Sequence, residues 1–399
     1  MSKLFNICNI YIFLGCLYAL QGIIYAQGII SQGILAVFLS ISLYCVVKIH
    51  FQSDIPSLFK IMDILLIVST LYGMVMMFDG QQYFIKESCE YYPKIEFLKN
   101  IYSSLLPIYT FYYFSKQGLI SQKNICCWTI VFVIIATIVF WADHQAKLES
   151  ALAMGWTNDE FTNNNGYVFL SFLPLLFFFN KHKTIQYGLL IYILVFILMS
   201  MKRGAILIGA LALIWFVYRT FKASSKNSRI ALLVIVSIAL ICISQYVIYL
   251  YETSDYFQLR LNNTLAGDSS GRNVIYKDLY THFLYQTSNM QFLFGMGANG
   301  TLNVTYNLAH NDWLEIITNH GIMGIIVYTA FWIAIFATLY NTKQYDNIYS
   351  IFFMLVLIYF VMTFFSMSYN NIPMYSALAF GYCIAYVYHK PHNILNSNE

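Results

Sequence analysis

AHNDWLEIITNHGIMGIIVYTAFWIAIFATLY (residues 309–340) joins two kinds of chain. Its first half carries His310, Asn311, Asp312, Glu315 and His320; its second is apolar almost without interruption. An apolar run of about 20 residues is long enough to cross a bilayer as a helix. The polar half therefore lies at a membrane boundary, where ionisable groups are costly to keep and mark candidate functional sites.

The pattern recurs along the chain. Of 399 residues, 59% are hydrophobic and only 10% charged, where a soluble domain carries about 25% charged; the mean hydropathy is +0.62. This is the composition of an all-α polytopic membrane protein, and about twelve transmembrane helices are expected, near 5–24, 29–48, 57–78, 98–115, 124–142, 166–180, 184–201, 203–221, 229–250, 318–340, 347–367 and 373–389. The first is expected to be a retained span, because no small-residue cleavage site follows it. Residues 1–399 read as a single membrane domain, with polar loops at 79–97, 143–165 and 251–311. The last is the one large extracytoplasmic loop, expected to hold short helices.

Basic residues set the orientation. Lys3, Lys48, Lys60, Lys116, Lys123, Lys181, Lys183, Arg219, Lys222, Lys226, Arg229, Lys343 and Lys390 fall on one side, and most of the acids on the other. The positive-inside rule then places both termini in the cytoplasm and the three large loops outside. Lys202 and Arg203, in LMSMKRGAIL, break the rule on the outer side. Either they snorkel at a helix end, or an anionic partner compensates them. Seven of the eight cysteines lie in apolar runs and no CxxC spacing occurs, so neither a zinc site nor a disulfide framework is indicated.

The outer face offers few reactive groups. Its arginines are Arg203, Arg260 and Arg272, and its histidines His144, His282, His310 and His320. Guanidinium forks grip phosphate bidentately, while neutral imidazole accepts a hydroxyl proton near neutral pH. His310 is placed just before a helix start, with Asp312 and Glu315 at the D-x-x-E spacing of a helix N-terminus, where they are expected to cap the helix and complement its dipole. Gly321 is placed to end that turn or ease entry into the next span. Arg260 reads equally as a donor contact or a solvated loop charge. RNVIYKDLYTHFLY (272–285) has nearly helical apolar spacing at Val274, Ile275, Leu279, Phe283 and Leu284, and is expected to be an amphipathic helix at the membrane boundary. GMGANG (295–300) reads as a turn rather than a phosphate cradle, since no P-loop lysine follows. GDSSG (267–271) lacks any matching triad context. No HExxH, P-loop or D-x-D metal spacing faces outward.

SMKRGAIL, SSGRNVIYKDLY, FLFGMGANG and AHNDWLEIITNHGIMGIIVY, in this order and spacing, resemble the bacterial O-antigen polymerase and O-antigen ligase superfamily, over roughly residues 160–340. FTNNNGYVFLSFLPLLFFF (161–179) resembles the segment that precedes its sixth span. The resemblance implies a membrane glycosyltransferase acting on undecaprenyl-pyrophosphate-linked glycans outside the bacterial inner membrane, without cofactor, metal or nucleic acid. A chain-length regulator and a flippase of the same pathway are its implied partners. Residue by residue, it implies donor-pyrophosphate binding by Arg203 and Arg272, with Arg260 a further candidate, and a general base in His310. Asn311, Lys202, Glu315, Gly321 and Gly324 would support them; Lys202 departs from the small hydroxyl residue usual there.

Polymerase and ligase share this donor chemistry and differ in acceptor, a second lipid-linked repeat unit or lipid A-core. The polymerase reading is preferred, and the genes beside this one would discriminate: repeat-unit glycosyltransferases and a flippase, or core-biosynthesis genes. A transporter is the rival of another class; it would place charged residues near the bilayer midplane, where only Asp63 stands out.

Overall fold

The computed structural model describes residues 6–86, 90–153, 163–253, 258–259, 261–262 and 271–389. Arg260 lies outside them, as do Cys89, the GDSS residues of 267–270 and the first residues of FTNNNG. The described chain is helical throughout except for one short hairpin, and it divides into two compact units, residues 1–135 with 272–399, and residues 136–271.

The first unit contains α1 (Ile7–Ala19), α2 (Ile29–His50), α3 (Ser57–Phe78), the antiparallel strands β1 (Phe84–Ile85) and β2 (Glu90–Tyr91), α4 (Ile95–Lys116) and the start of α5 (Gln122–Ala153). After the other unit it resumes with α10 (Arg272–Tyr285), α11 (Asn289–Phe294), α12 (Gly300–Thr305), α13 (Asp312–Thr342), α14 (Asp346–Phe365) and α15 (Met374–Tyr388). Helix α4 runs through its core, with Phe97, Ile101, Tyr109, Phe111, Tyr112 and Phe114 buried. Phe59 of α3 stacks on Tyr109 at 4.4 Å between ring centroids. Asp63, the acid that stood out within a span, is neutralised locally: His50 Nε2 lies 2.8 Å from one carboxylate oxygen, and Tyr109 donates to the other at 2.8 Å.

The second unit contains the rest of α5, then α6 (Gly166–Leu170), a 3-10 turn (Leu173–Phe179), α7 (Lys183–Met199), α8 (Arg203–Ala223) and α9 (Lys226–Thr253). The span expected at 166–180 is thus not one helix. Pro174 has no N–H to continue an α-helical ladder, and the chain tightens into the 3-10 turn, every residue of which is buried. Phe140, Phe169 and Phe196 form its aromatic centre, Phe169 stacking on Phe196 at 4.5 Å.

Six helices among the described residues are long and apolar enough to cross a membrane: α2, α3, the Gln122–Glu149 part of α5, α8, α13 and α14. The remaining expected spans fall on shorter apolar helices at Ile7–Ala19, Gly166–Phe179, Lys183–Met199 and Met374–Tyr388, and on α4 and α9. An all-helical polytopic membrane fold follows.

Helix α13 is broken. Gly321 has φ 64° and ψ −159°, outside any helix. There the backbone of residues 293–297 crosses it so closely that a Cβ on Gly321 would stand 2.5 Å from the Leu293 carbonyl, and one on Gly295 2.3 Å from Asn319 backbone. The crossing satisfies the carbonyls the break releases. Met296 N–H donates to Thr318 O at 2.8 Å and Gly297 N–H to Asn319 O at 3.0 Å. The GMG segment is therefore a backbone cap for a broken helix, in keeping with the turn expected of it.

Candidate active site

His310 precedes the first half of α13 and lies outside the helix, as expected. Asn311 is the N-cap: its side-chain oxygen accepts from Leu314 N–H at 3.1 Å. His310 itself is half-buried with φ 50°, a left-handed conformation that costs a non-glycine residue about 1–2 kcal/mol. Such strain persists only where the surroundings impose it; here Glu315 holds Ala309 before it and Tyr276 donates to the His310 carbonyl.

Asp312 and Glu315 lie in the first turn of the helix, as expected of acids that complement its dipole, but Asn311 and not either of them supplies the cap; both are fully buried. Glu315 accepts from Ala309 N–H at 2.9 Å, from the Thr301 hydroxyl at 2.8 Å and from the Asn319 amide at 3.2 Å. It thereby ties the residue before His310 to α12 and to the broken end of the half-helix. Asp312 accepts from Ser368 N–H at 2.8 Å, from the Ser368 hydroxyl, and from Tyr328 at 2.6 Å. A buried carboxylate needs such donors to offset its desolvation. The helix cap was taken by Asn311 because its short amide reaches the free N–H groups without leaving the backbone.

Arg272, the first residue of α10, comes to the same place. Its Nη1 donates to Phe365 O at 2.9 Å, and Asn311 Nδ2 donates to Phe364 O at 3.4 Å. The C-terminal carbonyls of α14, which have no partners within their own helix and carry partial negative charge, thus hold both groups. One turn along α10 from Arg272, Tyr276 donates to His310 O at 3.4 Å. Burial pushes the Tyr276 phenol above its usual range, against smaller opposite pulls from Arg272 and Asn311, so it keeps the proton it donates. Trp313 completes the contact with α14, its indole N–H donating to Thr363 at 3.0 Å. His320 is buried against Tyr72, ring centroids 4.5 Å apart, and its two ring nitrogens have no partner. Gly324 follows the break, where a Cβ would stand 2.3 Å from that of His320.

Helix α10 matches its expected limits, with Ile275, Leu279 and Phe283 on one face. Leu279 and Phe283 are buried while Val274 and Leu284 are exposed.

Lys202 and Arg203 belong to the second unit, where Lys202 is the N-cap residue of α8 and both are half-buried. Met201 is left-handed at φ 54°, turning the chain sharply between α7 and α8. Asn163 N–H donates to Ser200 O at 2.9 Å, so the NNNGY segment packs on the turn that presents Arg203. Among the described residues no group of three His, Cys, Asp or Glu could hold a metal ion.

Residues 188–329 match the family model described as O-antigen ligase. This segment is an O-antigen ligase family domain. The match supports the O-antigen ligase and polymerase superfamily for this segment, a family whose members are membrane enzymes of glycosyltransferase type. No curated protein matches the chain. The O-antigen ligase segment includes Arg203, Arg272, His310, Glu315, Gly321 and Gly324 and ends before Phe364, Phe365 and Ser368. The carbonyls and the serine that support the site are therefore supplied by the chain beyond it.

Proposed function

We propose that the chain polymerises oligosaccharide repeat units carried on undecaprenyl pyrophosphate, by glycosyl transfer at the outer face of the bacterial inner membrane, with both termini cytoplasmic. The observation that carries this reading is the shared support of Arg272 and the His310–Asn311 pair on the α14 carbonyls. It keeps an always-charged phosphate-binding group and a proton acceptor within one cluster.

In the proposed reaction an acceptor sugar hydroxyl attacks the anomeric carbon of the donor. Its oxygen forms the new glycosidic bond while the bond from that carbon to the pyrophosphate oxygen breaks. His310 takes the hydroxyl proton, and the departing pyrophosphate carries the electron pair. Arg272 meets the charge that develops on it, and the resemblance assigns Arg203 the same task. Asn311 and Glu315 hold the His310 turn. The short-range pairing of Asp63 with His50 and Tyr109 supports an enzyme over a transporter, since it leaves no unpaired acid in that helix to serve a pathway.

The test is a strain lacking this chain, complemented with wild type or His310→Ala. Wild type should restore a ladder of glycan lengths, and His310→Ala should leave single repeat units. A ladder of wild-type intensity from His310→Ala would remove the base assignment. The ligase reading draws its support from the family description; under it, the deletion would leave long lipid-linked chains that never reach lipid A-core.

A further inference from the structure

Four residues before His310, Tyr306 ends α12 in a left-handed conformation, with φ 57° and ψ 17°. That position usually belongs to glycine, because a Cβ there is strained. The tyrosine ring repays little of this in packing, being 55% exposed. Its backbone is well held: the N–H donates to Leu302 O at 3.1 Å, and the carbonyl accepts from Lys86 N–H at 2.8 Å. A bulky ring kept in the open, on a backbone that prefers none, is serving something other than folding.

Its neighbours are polar. Asn303, one turn earlier on α12, is exposed and donates to the exposed Gln81 at 3.4 Å. Lys86 is exposed. Asn307, the next residue, is half-buried, its amide oxygen turned inward away from this surface. A lipid-facing tyrosine would have apolar company. An aromatic face among amides instead matches a sugar ring, whose polarised C–H groups meet the negative face of the phenol while its hydroxyls supply donors to the amides.

Resting on the glycosyl-transfer reading, we infer that Tyr306 is a stacking platform for a pyranose ring of the glycan being joined. The chain from Tyr306 to His310 spans at most about 14 Å, within reach of a short oligosaccharide. Glu315 holds the chain on either side of Tyr306, through Thr301 on α12 and through Ala309 N–H. The sugar would then be held by one residue and deprotonated by another on the same clamped segment.

Left-handed backbone makes the test clean, because Tyr306→Gly removes the ring while relieving strain. In the complemented deletion strain, Tyr306→Gly should melt at or above the wild-type temperature after purification. Its glycan product should fall about tenfold, equivalent to about 1.4 kcal/mol. Tyr306→Phe, which keeps the ring face, should stay within about twofold of wild type, and Tyr306→Leu should behave like the glycine variant, since a twofold change is well under 1 kcal/mol. Product from Tyr306→Gly near the wild-type level would overturn the inference. Rescue by leucine would do so too, since it would mean contact with lipid. A wild-type chain that restores no glycan at all would overturn the transfer reading, and this inference with it.

Discussion

Replacing Gly321 with alanine should be among the most damaging single-methyl changes available in this protein. The left-handed φ of 64° costs alanine about 1–2 kcal/mol. The added Cβ would stand 2.5 Å from the Leu293 carbonyl carbon and oxygen and 2.6 Å from Gly295 N. These are backbone atoms and cannot rotate away, so the two segments must separate, at about 1–3 kcal/mol for a tightly packed contact. Separation also weakens the bonds from Met296 and Gly297 to the freed carbonyls of Thr318 and Asn319, at about 1 kcal/mol each. Together these terms put the loss at about 4–7 kcal/mol, in the range that marks a specific structural fault. The assay is denaturant titration of purified protein in detergent, with Gly33→Ala as its control. A Cβ at Gly33 meets nothing within 4 Å, and alanine within a helix gains up to about 1 kcal/mol over glycine. If both variants unfold at the same denaturant concentration as wild type, the crossing of residues 295 and 321 is not part of the folded structure.

Three further outcomes are expected. Glu315→Ala leaves three buried donors unanswered and should cost about 3 kcal/mol or more; Glu315→Gln keeps one acceptor and should lose less, both read by the same titration. Arg272→Lys retains the charge and can still reach Phe365 O, but it lacks the bidentate fork. It should fall about tenfold or more in polymerisation rate with unchanged melting temperature, since tenfold is about 1.4 kcal/mol; a wild-type rate would show that charge alone suffices. Beside the hairpin, burial pushes the Asp79 carboxyl up, but Lys94, Tyr83 and the Gln81 N–H outweigh it and hold the pKa below its usual value. A depressed carboxyl contributes stability above its unfolded pKa and loses it as pH falls through the folded value. Lys94→Gln should therefore shrink the acid loss and complete it at a higher pH, with less than about 1 kcal/mol lost at neutrality; an unchanged acid limb would show the pair contributes nothing.

Parts of this arrangement were legible in the sequence. The step from NDWLE to an apolar run marked both the helix start and the membrane edge, and Gly321 marked the break. Pro174 was a visible reason to doubt a continuous helix, and Asn311 has the short amide side chain that favours the N-cap, but the D-x-x-E spacing drew attention to the carboxylates instead. What could not be seen was where those carboxylates go. Ser368 binds Asp312 from 56 residues away, and Phe365 holds Arg272 from 93 residues away. A backbone carbonyl has no residue type, so no pattern announces it. Tyr276 left only its spacing from Arg272 on a helix, and Tyr306 nothing at all, because a left-handed tyrosine looks like any other until φ is known.

The bond between Arg272 and the α14 carbonyl also orders events during synthesis. The arginine leaves the ribosome 93 residues before the phenylalanine whose oxygen it needs. At about 5–20 residues per second, it waits several seconds or longer while α13 and α14 are made and inserted. Asn311 and Asp312 wait for the same late segment, through Phe364 and Ser368. Throughout that interval Arg272 and Asn311 lack the helix end that later holds them both. A truncation after residue 311 and before residue 364 would therefore remove the carbonyls that hold Arg272 and Asn311 while leaving both residues in the chain.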